Sequence, residues 1–211
     1  MLFRSVSSSG DFGTRTQFKK DLITELCAVL SFSAIQNNDK IGVIFFSNQI
    51  EKFIPPKKGK THILRIIREL IEFEQQHKGT DISVALKYLT NAIKKRSICF
   101  LISDFMDHGF EDALKLANRK HDLVALQITD PGEDQLPNVG LIRLLDPETG
   151  ASRMIDTSDA DIREKFRRDK MLFKKELKEM LAVAGVDSTE LLTNKSYVKP
   201  LMQLFKKRGK K

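Results

Sequence analysis

Ser97-Ile98-Cys99-Phe100-Leu101-Ile102-Ser103 is the stretch that decides how this chain reads. Five apolar residues stand in a row between two serines, with no polar face among them. Successive side chains of a strand point to opposite sides, so a strand of this kind must be covered on both. It belongs inside a mostly parallel sheet with helices above and below. Working outward, 40–46 is another buried run rich in Ile, Val and Phe, and 49–54 reads as a strand stopped by Pro55-Pro56. These two are close enough to pair as an antiparallel hairpin. Residues 2–6 and 123–128 complete the set of strands. Between them, 17–36, 61–73, 82–93 and 110–118 carry apolar residues at helical spacing. Alternating strands and helices give an α/β fold, a doubly wound and mostly parallel sheet.

After Asp130 the pattern changes. Residues 140–145 and 151–155 flank Asp146-Pro147-Glu148-Thr149-Gly150, which predicts a β-hairpin near 140–156. From Ser158 on, the pattern reads as helical. The expected organisation is an α/β domain over 1–157 and a basic helical extension over 158–211 packed on it. The net charge is +8, and residues 161–211 account for all of it, with 15 basic and 7 acidic residues. Phe166, Leu172, Phe173, Leu177, Met180 and Leu181 recur among those charges, so the extension reads as an amphipathic helix with a solvated basic face, not a nucleic-acid arm. Residues 206–211 read as a frayed end.

With 41% apolar and 30% charged residues the composition is that of an ordinary globular chain, and no apolar run approaches the roughly 20 residues that span a bilayer. No secretory signal pattern opens the sequence. Cys27 and Cys99 fall in a helical and a strand pattern, so both read as reduced core thiols, and a cytoplasmic location is expected.

In an open α/β sheet, ligands sit beyond the carboxyl ends of the strands where the strand order switches. Three loops leave such ends here: Ser5-Val6-Ser7-Ser8-Ser9-Gly10, Gly79-Thr80-Asp81 and Ser103-Asp104-Phe105. Hydroxyls from Ser7, Ser9 and Thr80 and the carboxylate of Asp104 are hard oxygen donors. They suit Mg²⁺ or Mn²⁺ that keeps several waters and leaves room for a partner's carboxylate. Ser8, Gly10, Asp11, Gly79, Asp81 and Phe105 would then flank the ion as partner-contacting residues.

This pattern resembles the metal-ion-dependent adhesion site of von Willebrand factor A domains. There Asp-x-Ser-x-Ser lies on the first loop, a Thr on the second and an Asp on the third. More narrowly, the sequence resembles the bacterial family called domain of unknown function 58. The resemblance rests on Ser9-Gly10-Asp11-Phe12-Gly13, Asp39-Lys40-Ile41-Gly42-Val43, Phe53-Ile54-Pro55-Pro56-Lys57-Lys58-Gly59, Gly79-Thr80-Asp81, Ile102-Ser103-Asp104-Phe105 and Asp146-Pro147-Glu148-Thr149-Gly150, in that order. It implies a von Willebrand factor A-like fold and a non-enzymatic adaptor or assembly factor. The implied partner is a MoxR-type AAA+ ATPase or its client protein.

Two departures from the family pattern stand out. Ser5 occupies the place of the leading Asp, which removes one negative charge from a site meant for a divalent ion, so weak metal binding is expected. Met1-Leu2-Phe3-Arg4 is short for a central strand, which predicts a truncated start and self-association through it.

Simpler roles compete with several of these assignments. Ser7 to Gly10 can form a turn and cap a helix, and Asp81 reads better as the N-cap of the 82–93 helix than as a ligand. His62, His77, His108 and His121 show no ligand spacing. Lys57-Lys58-Gly59-Lys60 lacks the phosphate-loop pattern, and no Gly-x-Ser-x-Gly elbow is present. A metal-dependent phosphoesterase at the same sheet end is the alternative function, but it needs several gathered carboxylates where the sequence offers mainly Asp104.

Overall fold

A computed structural model of the chain describes residues 2–5, 18–74, 76–77, 79–145 and 152–209. The strands are β1 (Leu2–Ser5), β2 (Ile41–Phe46), β3 (Ile50–Lys57), β4 (Ile98–Ser103), β5 (Asp122–Thr129), β6 (Leu141–Leu145), β7 (Ser152–Asp156) and β8 (Asp187–Leu192). The helices are α1 (Lys19–Gln36), α2 (Lys60–Glu72), α3 (Ile82–Ala92), α4 (Glu111–Lys120), α5 (Ala160–Val183) and α6 (Val198–Arg208). Six strands form one sheet in the order β3-β2-β1-β4-β5-β8, while β6 and β7 pair as a separate antiparallel hairpin. Only β3 runs antiparallel to its neighbour in the large sheet.

Both faces of that sheet are covered, as the apolar run at β4 requires. Val43 and Phe45 of β2, Ile102 of β4 and Val124, Leu126 and Ile128 of β5 pack with α1, α2 and α6. Their alternates Ile44, Phe46, Cys99, Leu101, Leu123 and Ala125 pack with α3, α4 and α5. The period-two alternation of strand side chains thus feeds two separate cores. Cys27 and Cys99 are buried and unbridged, and burial pushes the Cys99 thiol up to about 11. β1 has four residues against six in each of its neighbours, and it sits at the centre of the sheet.

Three expectations need correcting. First, β3 runs through Pro55-Pro56 to Lys57. It is an edge strand bonded only to β2, so a missing N–H on its outer side costs no ladder bond. The register also shifts there: Ile41 faces Lys57 and Val43 faces Ile54, so the two prolines oppose the single Gly42 in a bulge.

Second, the region after Ser158 is not helical throughout. β8 lies in it and pairs with β5 as the sixth strand of the main sheet. The segment 158–209 is therefore woven into the domain, not appended to it. β8 escaped the sequence reading because Asp187-Ser188-Thr189-Glu190 is polar and only Leu191 is fully buried, the signature of an edge strand. Within α5, Leu177 and Leu181 are buried as expected, while Leu172 is exposed.

Third, the basic end is anchored up to Arg208. Its guanidinium bonds Asp122 at 2.5 Å and Asp187 at 2.9 Å, tying α6 to the starts of β5 and β8. Lys207 only approaches Asp187, at 4.0 Å, and its side chain is mostly exposed.

Two predictions follow from these contacts. Arg208→Ala should cost about 1–2 kcal/mol in urea unfolding, because two carboxylates lose a charged donor. Lys207→Ala should change stability by less than about 0.5 kcal/mol, as exposed residues do.

His121, at the end of α4, is fully buried, and neither ring nitrogen finds a partner among the described residues. Burial, with help from Lys120 and Arg96, holds its pKa below the usual 6.5. The unfolded chain therefore takes up a proton on this ring at a higher pH than the folded chain does. Stability contributed by the neutral ring is present above about pH 6.5 and is lost as the pH falls below it. His121→Leu should flatten that acid-side decline when unfolding is followed across this range.

Candidate functional site

The carboxyl ends of β1, β2, β4 and β5 lie along one edge of the sheet, because those strands are parallel. The pairing of β1 with β4 sets Arg4 beside Ile102, and the two strands end one residue later, at Ser5 and at Ser103, with Asp104 next in the chain. On the other side Ser5 faces Phe46. Ser5 thus sits in the backbone position from which the first loop departs. Ser7, Ser8, Ser9, Gly10 and Asp11 lie outside the described residues.

The second loop does not leave a strand end as expected: it joins α2 to α3, and it is held beside the end of β2 from two directions. Gly79 has φ +86°, a left-handed conformation that glycine adopts without strain, and it passes close to Asn48, where an added Cβ would meet that side chain at 3.6 Å. Asp81 N–H donates to the carbonyl of Ser47 at 2.9 Å, which fixes the loop to the end of β2. Beside it, Ser47 Oγ donates to Glu51 Oε1 at 2.7 Å and His77 N–H donates to the same oxygen at 3.0 Å. Burial opposes ionisation of Glu51, but these hydrogen bonds from Ser47 and His77 hold its pKa below the ordinary value. Thr80 is partly buried between Gly79 and Asp81.

Asp81 is the N-cap of α3: its carboxylate accepts from Val84 N–H at 2.9 Å. The helix-cap reading of this residue therefore describes its contacts. Asp107, on the third loop, caps the same helix by accepting from Ile82 N–H at 2.7 Å. Burial raises the pKa of Asp107, against the lowering effect of the Ile82 and His108 amides. One helix terminus thus draws in carboxylates from both loops, and the Asp107–Ile82 bond joins the Thr80 loop to the Asp104 loop.

Phe105 has φ 61°, in the left-handed region, and its side chain is fully buried near Phe110 with ring centroids 6.2 Å apart. The residue expected to contact a partner instead plugs the core. The strained turn that buries it leaves Met106 as the exposed apolar side chain of this loop.

Asp104 is not free to receive an ion in the ordinary way. Its Oδ2 lies 3.4 Å from the Lys19 ammonium, and its Oδ1 accepts from Met106 N–H at 3.3 Å. Lys19 is the first residue of α1, and its side chain is only 2% exposed. A second carboxylate, Glu133, meets it at 2.5 Å. Glu133 is set in place by the turn after β5. Asp130 caps a short 3-10 turn over Pro131–Glu133, accepting from Gly132 N–H at 2.8 Å, while Glu133 Oε2 accepts from Asp130 N–H at 3.3 Å. Asp130 in turn accepts from Thr193 Oγ1 at 2.5 Å, so the ends of β5 and β8 are clasped as well.

Sequence reasoning missed Lys19 and Glu133. Both left a signal. Lys19 falls on the same helical stripe as Leu22, Ile23 and Leu26, a charged residue on the face that enters the core. Asp130-Pro131-Gly132-Glu133 has the spacing of a capping box.

The donor set suits a divalent ion poorly. Among the described residues it comprises the Thr80 hydroxyl and the Asp104 carboxylate, and that carboxylate already faces a buried ammonium. No group of three or more His, Cys, Asp or Glu that could hold a metal occurs among the described residues. Nor is any helix among them long and apolar enough to cross a membrane.

Comparison with known proteins adds the following. The chain is 24% identical over 206 residues to the uncharacterized proteins Mb1516 of Mycobacterium bovis and Rv1480 of Mycobacterium tuberculosis. The match takes in 96% of this chain and spans 65% of the length of those curated relatives. Uncharacterized protein MAV169 of Mycobacterium avium is 23% identical over 158 residues, which is 74% of this chain and 93% of that protein. Among solved structures, the conserved hypothetical protein BatB from Bacteroides thetaiotaomicron has a similar fold, with a TM-score of 0.61 at 16% identity, covering 100% of this chain and 98% of that one. Proximal thread matrix protein 1 from the mussel byssus matches with a TM-score of 0.50 at 19% identity, over 60% of this chain and 36% of that one. Residues 1–176 match the family described as protein of unknown function DUF58, and the chain belongs to that family.

Proposed function

We propose that this chain is a non-enzymatic protein-interaction module of the von Willebrand factor A-like kind, docking a partner protein at the carboxyl edge of its sheet. The sheet order β3-β2-β1-β4-β5-β8, with one antiparallel edge strand and helices on both faces, supports the von Willebrand factor A-like reading. A single observation carries the functional reading. The carboxylates described at this edge are committed to structural work: Asp81 and Asp107 to the start of α3, Asp104 and Glu133 to Lys19. Phosphoesterase chemistry needs carboxylates free to hold metal and activate water. A docking surface needs firm loops, which is what these bonds make.

The partner implied by the family resemblance is a MoxR-type AAA+ ATPase or a client of one, and the implied setting is the cytoplasm. The adhesion-type site on this reading is degenerate. Ser5 stands for the leading Asp, and Ser7, Ser9, Thr80 and Asp104 supply at most a weak Mg²⁺ or Mn²⁺ site. Met106, 46% exposed between Asp104 and the α3-capping Asp107, is the apolar contact such an edge offers.

Calorimetric titration of the chain with a purified MoxR-type ATPase from the same genome should show direct binding. Met106→Asp should weaken it about tenfold or more, as expected for a charge placed in a contact. The same protein should leave a generic phosphate monoester intact with Mg²⁺ or Mn²⁺ present. Metal-dependent turnover that disappears in Asp104→Ala would replace the docking reading with the hydrolase.

A further inference from the structure

We infer that the Lys19 ammonium is the built-in cation of this sheet edge, serving Asp104 and Glu133 as a divalent ion serves an adhesion-type site, so that the edge is assembled without metal. The inference deepens the docking reading, and takes from it only the identity of the edge.

The physical case starts from burial. A lysine side chain 2% exposed is tolerated only when its charge is paired, because an unpaired ammonium out of water costs several kcal/mol. Among the described residues Lys19 has two carboxylates within reach, at 2.5 and 3.4 Å, and they come from different connections. Asp104 follows β4, Glu133 follows β5, and Lys19 itself opens α1 after the first loop. Bridging loops that leave separate strands is what an ion at such an edge does.

The charge balance points the same way. Two carboxylates and one ammonium leave a net charge of −1. A divalent ion would have to share the same two carboxylates with an ammonium a few ångströms away, and two cations at that separation repel strongly where water is scarce. Ser5 fits this balance. With a lysine already supplying positive charge, an aspartate there would add a carboxylate to an edge whose described cation is already shared by two.

Mn²⁺ binding to the whole chain, read from the paramagnetic signal of the free ion after chelator treatment, tests this without any partner. Failure of the ATPase titration would therefore leave it standing, and the reverse holds too. The parent chain should bind Mn²⁺ more weakly than about 1 mM, and EDTA should leave its melting temperature unchanged. Lys19→Met keeps the stem and removes the charge. It should lower the melting temperature and tighten Mn²⁺ binding at least about tenfold over the parent, and Asp104→Asn added to it should cancel that gain. Equal Mn²⁺ affinity in the parent and Lys19→Met overturns the inference, and so does a parent melting temperature that falls in EDTA. If Lys19→Met does not fold, the neutral triple variant Lys19→Met, Asp104→Asn, Glu133→Gln decides. A folded triple variant upholds the charge pairing; a triple variant as unfolded as Lys19→Met overturns it.

Discussion

A mostly parallel sheet covered on both faces leaves only its ends and its two edge strands in contact with water, and the rest of this structure depends on that constraint. β2, β4 and β5 have no polar face to offer, so every polar demand is pushed to where strands become loops. At the carboxyl end those demands meet within a small region. The start of α3 needs acceptors for its free amides, Lys19 enters from the start of α1, Ser47 and Asp104 follow β2 and β4, and Thr80 lies on the α2–α3 connection beside them. The ion pairs and caps at this edge follow from the way the core is covered.

The edge is built as a set of clasps between loops. Asp81 ties the second loop to β2 through its backbone and to α3 through its side chain. Asp107 ties the third loop to α3. Asp130 and Thr193 clasp the turns after β5 and β8, Glu133 braces Asp130 within its turn, and Lys19 closes the set by joining α1 to both the Asp104 and Glu133 turns. None of these bonds needs a ligand. Rigid loops on a rigid sheet are what a recognition surface requires, since the ordering cost is met in folding and not at the moment of binding.

Much of the sheet was legible in the sequence for one reason. Strands buried on both faces must carry continuous apolar runs, and β2, β4 and β5 do; Ile98-Cys99-Phe100-Leu101-Ile102 can be read without help. β8 is half exposed and opens Asp187-Ser188-Thr189-Glu190, so its composition is that of a loop and only its pairing with β5 makes it a strand. β3 crosses two prolines because edge strands tolerate them, a fact about position that composition does not hold. At the site, Asp104 was legible because its loop leaves a strand end, and Asp81 because it stands just before a helical pattern. Lys19 was not, because a lysine at a helix start usually faces solvent. Phe105 was misjudged as a surface residue because a left-handed turn, invisible in the sequence, swings its ring into the core.

Lys19 and Phe105 together explain why the third loop takes the path it does. After Ser103 the chain must turn its acidic residue toward α1 and its aromatic residue toward the α3 and α4 side of the sheet. Asp104 meets Lys19 on one side, while the left-handed turn at the next residue carries the Phe105 ring into the core on the other. The left-handed φ at Phe105 then ends the strand, and Ser103 Oγ steadies the turn by accepting the Phe105 N–H at 3.1 Å. A non-glycine residue held there is strained, and the burial of its ring offsets that cost. The same turn brings Asp107 back to Ile82 at the start of α3. Position 105 therefore supports both carboxylates of its loop: a smaller side chain would relax the turn and loosen the ion pair at Asp104 and the cap at Asp107 together.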